Sequence, residues 1–228
     1  MRDSIKITTK EKEYWENKEE FDWMPKKGIL EILRKIPRPW GHVVELCAGS
    51  GMFTRYVDFR NCNTYTCLDI SQRLLDKLKF SLPQVNILLG DAQNLNFKEK
   101  SIDCVYIYAG LHHLPRLDSC LLGSYKILKA EGKFICFEPN ADCFYRFIML
   151  KLRGLLGLYT EDEVFLNPLA ITGKLNSIGF KNVKIKYVTP SYKLKHIGIL
   201  YPLFIIMKLI ALLPGRRFQS FFIITCEK

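Results

Sequence analysis

Apolar and polar positions along this chain alternate between two periods, one near 3.6 residues and one near 2. Ile29, Leu30, Ile32, Leu33 and Ile36 recur at helical spacing, which predicts a helix packed against a sheet and ended by the prolines at 37 and 39. Short apolar runs follow, separated by longer mixed ones. HVVELC, TYTCLDI, VNILLGDA, SIDCVYIYAG and KFICFEPN read as strands. FTRYVDF, SQRLLDKLKF (with Ser71 available near its cap) and LDSCLLGSYKILKAEG (stopped by Gly132) read as helices between them. Five strands separated by helices predict a mostly parallel, doubly wound sheet. GFKNVKIKYV and the final SFFIITCEK supply two more strands.

Two segments break this rhythm. FYRFIMLKLRGLLGLYT follows the fifth strand, and HIGILYPLFIIMKLIALLPGRR separates the last two strands. From Ile197 to Leu213 the second carries Lys208 as its only charge, with Pro202 inside. A bilayer crossing there would strand the last strand on the far side from its sheet, so the topology argues against a transmembrane helix. An interfacial segment, with Lys193, Lys195, Arg216 and Arg217 at its edges for anionic headgroups, fits both the apolarity and the return to the sheet. A hydrophobic lid over a small-molecule pocket and a homodimer interface are the alternatives.

Charge sharpens this picture. The formal charge is +11, and residues 1–140 hold 21 Lys/Arg against 18 Asp/Glu, whereas residues 141–228 hold 13 against 5. The excess in the last third points to an anionic surface, a membrane or a nucleic acid. The eight cysteines form no C-x-x-C pair and lie in apolar runs, the pattern of reduced, buried thiols, and the four histidines give no zinc spacing. The polar N-terminus lacks the apolar core of a signal peptide, so a cytoplasmic protein, peripheral to the membrane, is expected.

The densest local signal is VVELCAGSGMFTRYV, residues 43–57. Gly49 and Gly51 follow the first strand, where glycine lets the backbone turn sharply and a ligand come close. A dinucleotide loop would carry a third glycine at position 54, which is threonine, and the dehydrogenase reading weakens accordingly. Asp69, 18 residues beyond Gly51 at the end of the second strand, suits a ribose, since an ionised carboxylate accepts from both hydroxyls. It could also serve as a cap for the next helix.

In order and spacing these landmarks resemble the class I S-adenosylmethionine-dependent methyltransferase family, and within it the small-molecule, UbiE-like branch, over about residues 40–140. The resemblance implies a Rossmann-like seven-stranded sheet, mostly parallel with an antiparallel last strand, here carrying apolar helical insertions. It also implies S-adenosylmethionine as cofactor. VVELCAGSG resembles the family's first motif, with Glu45 at its acidic position, Gly49 and Gly51 as turn glycines, Ala48 just before them and Cys47 where many members carry glycine. Asp69 matches the ribose-binding acid, with Ile70 near the adenine. Asp91 and Ala92 match the segment at the adenine amino group, and Ala109 lies in the fourth-strand motif.

Methyl transfer from a sulfonium needs alignment above all, plus a proton acceptor for some substrates. His112 and His113, just past the fourth strand, have a suitable near-neutral imidazole, and one of them could instead shape the cofactor's methionine end. Glu138 ends the fifth strand and could orient a substrate or anchor a loop. Tyr106 and Tyr108 are expected under a helix, and Tyr14 and Trp15 in a lid. The expected organisation is a single methyltransferase domain: a helical lid at 1–38, the cofactor core at 40–140, a helical insertion at 141–180, and the last strands at 181–228 around the apolar insertion 190–217. The expected acceptor is apolar or lipid-linked and met at an anionic membrane surface. Alternatives are a soluble enzyme for a hydrophobic natural-product-like acceptor, an RNA methyltransferase and a non-catalytic scaffold. Nucleic acid is disfavoured because apolar residues interrupt the basic ones.

Overall fold

In the computed structural model the described residues are 12–17, 24–144, 166–191, 201–210, 213 and 215–228. Helix α1 (Lys26–Leu33) precedes strand β1 (Gly41–Leu46). Then come β2 (Cys62–Asp69), α2 (Gln72–Ser81), β3 (Asn86–Leu89), β4 (Ile102–Tyr108), α3 (Leu117–Ile127) and β5 (Leu128–Pro139). After residue 166 follow α4 (Pro168–Ile178), β6 (Lys181–Val188), α5 (Tyr201–Ile210) and β7 (Phe221–Glu227). The seven strands form one sheet in the order β3-β2-β1-β4-β5-β7-β6. β1 to β5 pair in parallel, and β7 runs antiparallel to both β5 and β6. This is the class I methyltransferase sheet expected from the sequence.

The core divides by the period of the strand. Val44, Val105, Phe134, Cys136, Phe222 and Ile224 face one side, packed with Cys120 and Leu121 of α3 and Ile171 and Leu175 of α4. Their sequence neighbours Val43, Cys104, Tyr106, Ile135, Phe137 and Ile223 face the other, packed with Ile29 and Ile32 of α1 and Leu78 of α2. Both faces are covered, which is why these strands read as continuous apolar runs. Tyr106 and Tyr108 lie on the α1 side, and the Tyr106 hydroxyl donates to the Pro37 carbonyl at 2.8 Å.

Helix ends follow local chemistry. Ser71 caps α2 by accepting from the Leu74 N–H, and Asn167 caps α4 by accepting from Ala170 N–H, with Pro168 in the first turn and Gly179 in the left-handed conformation at its end. Two expectations are corrected. FTRYVDF forms only a single 3-10 turn, Thr54–Tyr56, because Phe53 and Thr54 are each held by the core and Val57 is already extended. The third helix ends at Ile127, not at Gly132: buried Leu128 pairs with Ile102 and Lys129 binds Asp103, so the segment LKAE enters β5.

Of the helical insertion expected at 141–180, residues 145–165 lie outside the described residues, as do Lys193 and Lys195, while 168–178 form α4. The roots of both insertions are described and meet. Asn140, fully buried, donates through Nδ2 to the carbonyls of Arg216 and Gln219 at 2.6 and 2.8 Å, and the Phe144 N–H donates to the Arg217 carbonyl at 2.8 Å. Among the described residues no helix is long and apolar enough to cross a membrane.

Candidate active site

A cleft of about 260 Å³ opens beyond the carboxyl ends of β1, β2 and β4, where small-molecule sites form in open parallel sheets. Glu45, Cys47, Ala48 and Gly49 line it from β1 and its loop, Asp69 and Ile70 from β2, Asp91 and Ala92 from beyond β3, and Ala109 and His113 from beyond β4. Of the residues expected at the cofactor, Gly51 alone does not line the cleft. It lies beneath the loop, where its N–H donates to the Ala48 carbonyl at 3.0 Å and its positive φ of 83° suits glycine.

Asp69 organises the loop. Its Oδ2 accepts from the Gly49 N–H at 2.8 Å and its Oδ1 from the Ser71 N–H at 2.9 Å, which fixes the carboxylate plane at the cleft wall. Because Ser71 caps α2, Asp69 is not needed as a cap.

Glu45 is buried, and its Oε2 accepts from Tyr65 Oη at 2.6 Å and Thr54 Oγ1 at 2.9 Å. Burial pushes its carboxyl up to about 7 against these two hydrogen bonds, with the Asp69 charge adding to the rise. Thr54 thus occupies the place of a third loop glycine and ties the loop to β1. Cys47 has a positive φ of 57° and Ala109 one of 54°, so the ends of β1 and β4 both bring left-handed non-glycine residues to the cleft. A Cβ on Gly110 would come within 2.5 Å of Cys47 Cβ, so the close approach of the two loops depends on glycine there. Burial, then the Asp69 charge, raises the Cys47 thiol well above its ordinary value and keeps it protonated.

Beyond β4 the polar groups form a buried set. Glu138, fully buried, accepts through Oε1 from the N–H groups of Gly110 and Leu111 at 2.9 and 2.8 Å, while its Oε2 lies 2.7 Å from His112 Nδ1. His112 packs against His113 with ring centroids 4.1 Å apart, and His113 meets Trp15 edge-on at 5.1 Å. His113 and Trp15 line the cleft, and His112 and Glu138 stand behind it.

Three participants carried no motif in the sequence. Arg73 donates to the Trp15 carbonyl at 2.7 Å, and Gln72 N–H donates to Glu16 Oε1 at 2.9 Å, so the helical segment 12–17 is docked on the start of α2. Gln93 donates to Asp91 and accepts from the Arg116 N–H at 2.7 Å. Their signal is positional: Gln72 and Arg73 open α2, and Gln93 lies in the loop that follows β3.

Comparison with known proteins agrees with this geometry. Residues 44–136 match the family model described as "Methyltransferase domain". The chain is 28% identical over 144 residues to the ubiquinone/menaquinone biosynthesis C-methyltransferase UbiE of Rickettsia akari, covering 56% of this chain and 58% of that one. It therefore spans little more than half the length of that relative. A solved SAM-dependent methyltransferase from Thermotoga maritima superimposes with a TM-score of 0.65 at 17% identity, covering 89% of this chain and 87% of that one. Phosphoethanolamine N-methyltransferase 2 of Haemonchus contortus, solved with phosphomonomethylethanolamine and S-adenosylhomocysteine, gives 0.64 at 13%, covering 99% of this chain and 57% of that one. The fold defines a class I methyltransferase sheet. Residues 44–136 are thus similar to a methyltransferase domain, and the sheet is the one found in solved S-adenosylmethionine-dependent methyltransferases.

The cleft suits S-adenosylmethionine as cofactor. It combines one oriented carboxylate at the β2 end, a glycine-bearing loop, and an apolar lining that includes Ile70, Leu74, Ala92 and Leu114. No group of His, Cys, Asp or Glu among the described residues could hold a metal ion.

Proposed function

We propose that this protein transfers a methyl group from S-adenosylmethionine to an apolar or lipid-linked acceptor at a membrane surface. The observation that carries the cofactor assignment is Asp69, whose carboxylate is oriented by the Gly49 and Ser71 N–H groups at the end of β2 and lines the cleft. Asp69 accepts from the ribose hydroxyls, and Ile70, Leu74, Ala92 and Leu114 enclose the adenine. Asp91, steadied by Gln93, accepts from the adenine amino group. When bound, the sulfonium supplies an activated methyl group, so the protein's share is alignment and exclusion of water. Trp15 and the docked segment 12–17 close the cleft on the side of His113.

His113 takes the proton from acceptors that must lose one, because its ring faces the cleft. His112 and Glu138 act as positioning residues: the carboxylate fixes the loop 110–112 through two N–H groups and orients the His112 ring that packs on His113.

An apolar acceptor is supported by α5. Pro202, Ile205, Ile206 and Leu209 are exposed at the spacing of one helical face, with exposed Arg216 and Arg217 beyond the helix. The Rickettsia akari relative is named for ubiquinone and menaquinone biosynthesis, whose products are lipids.

Calorimetry with S-adenosylmethionine tests the cofactor assignment. Wild-type protein is expected to bind, and Asp69→Ala to bind at least about tenfold more weakly, a loss of about 1.4 kcal/mol. Absence of binding by the folded wild-type protein would overturn the reading.

A further inference from the structure

The short turn after the glycine loop leaves a gap between itself and α1. Doubly wound sheets normally place a helix after β1 on one sheet face. Here that stretch is the 3-10 turn Thr54–Tyr56 followed by extended Val57, and a second cavity of about 280 Å³ lies between it and α1. Leu30, Leu33, Ile36, Pro37, Val57 and Tyr108 form its apolar lining. Tyr108 also lines the cofactor cleft, where its ring stacks on Phe53 with centroids 4.6 Å apart and planes 4° from parallel. The two cavities therefore stand back to back across one aromatic pair.

The mouth of the second cavity is basic. Arg34 and Arg38 line it and are exposed. Asp58 lines it as well, but its carboxylate is already engaged: Arg60 donates through Nε and Nη2 at 2.9 and 2.7 Å, and Arg38 lies 3.8 Å away. Two guanidinium groups, those of Arg60 and Arg38, thus face the one carboxylate, and Arg34 adds a further positive charge to the lining of a largely apolar cavity. Guanidinium groups at a rim favour a carboxylate or phosphate that they can grip through paired N–H donors. Apolar walls of this size favour a chain or ring over water. A cationic or zwitterionic ligand gains nothing from such a mouth, and a polypeptide helix is too wide for the interior.

We propose that this cavity is a second ligand site, distinct from the cofactor cleft, for a single-chain amphiphile with an anionic head. The chain lies against Tyr108 between α1 and Val57, and the head lies between Arg34 and Arg38. Fatty carboxylates and prenyl or alkyl phosphates share this chemistry.

Isothermal titration below the critical micelle concentration tests it with three probes: decanoate, decyl phosphate and decyltrimethylammonium. Saturable one-to-one binding of an anionic probe is expected, with the cationic probe at least about tenfold weaker. Arg34→Gln/Arg38→Gln should weaken the anionic probe by at least about tenfold, and Leu33→Trp, which fills the cavity, should abolish it. Preference for decanoate or for decyl phosphate separates the two sources of the head group. Undiminished S-adenosylmethionine binding by the arginine variant verifies its fold, so the test stands even if Leu33→Trp does not fold. Asp69→Ala should lose cofactor affinity and keep decanoate, which separates failure of this site from failure of the cofactor reading. Equal binding of anion and cation, anion binding unchanged in the arginine variant, or no saturable binding by the wild type overturns the proposal.

Discussion

Glu45 shows how much one buried residue sets at the loop. Its folded carboxyl titrates near 7, raised by burial from an ordinary 4.5, so the folded chain holds that proton more tightly than the unfolded chain. The stabilisation is fully present below the unfolded value and is lost as pH rises through about 7, with an upper limit of roughly 3 kcal/mol at 1.36 per pH unit. Glu45→Gln keeps an oxygen to accept from Tyr65 and Thr54 and removes the titration. Urea denaturation at about pH 5 and about pH 7.5 should then show a smaller loss of stability in Glu45→Gln than in the wild type. An equal loss in both would place the titration elsewhere. At this scale the sequence was partly legible. Glu45, Gly49 and Asp69 stand out because strand ends and glycines have strong local signatures. The Thr54 hydroxyl bond and the positive φ of Cys47 were not legible, because both depend on partners across the fold, Glu45 in one case and the close Gly110 in the other.

Element boundaries follow the same logic. Every expected strand formed, since alternating burial on two covered faces writes itself into runs such as SIDCVYIY and FFIITC. The helix expected at FTRYVDF shrank to one turn because its apolar residues are spent on fixed tertiary partners, Phe53 on Tyr108 among them, and tertiary packing overrides propensity. The early end of α3 has a like cause: Leu128, fully buried, gains more from pairing with Ile102 than from another helical turn. Asn140 is the element-scale counterpart of Glu45. Its Nδ2 holds the carbonyls of Arg216 and Gln219, and its Oδ1 accepts from the Asp142 N–H at 3.0 Å, so one side chain joins the end of β5 to the approach to β7. Asn140→Ala leaves those buried groups without their partner and should destabilise the protein by about 2 kcal/mol in urea denaturation, within the 1–3 range for an orphaned buried polar group. A change under about 0.5 kcal/mol would mean that water replaces the amide.

At the scale of the whole molecule, the sheet separates two kinds of surface. The cofactor cleft sits at the carboxyl ends of β1, β2 and β4, and the roots of both apolar insertions are joined at the end of β5, beyond the same edge of the parallel strands. On the proposed function, an acceptor that partitions into lipid approaches from the end of the sheet where the basic pair Arg216 and Arg217 lies. Interfacial attachment of this kind adds apolar insertion to headgroup attraction, and each half has its own signature. Sedimentation with vesicles containing phosphatidylglycerol should recover the protein, and vesicles of phosphatidylcholine alone should recover less. Arg216→Gln/Arg217→Gln should reduce recovery on anionic vesicles by several fold and make it less sensitive to salt, because about 1 kcal/mol is lost per basic residue at the surface. Ile206→Asp, on the exposed face of α5, should reduce recovery on both vesicle types, since its charge opposes insertion whatever the headgroup. Recovery that falls with the arginine pair but not with Ile206→Asp would make the contact purely electrostatic and leave α5 to cover the acceptor. Recovery unaffected by either would remove the membrane from the proposed function while leaving the cofactor assignment, which rests on Asp69, intact.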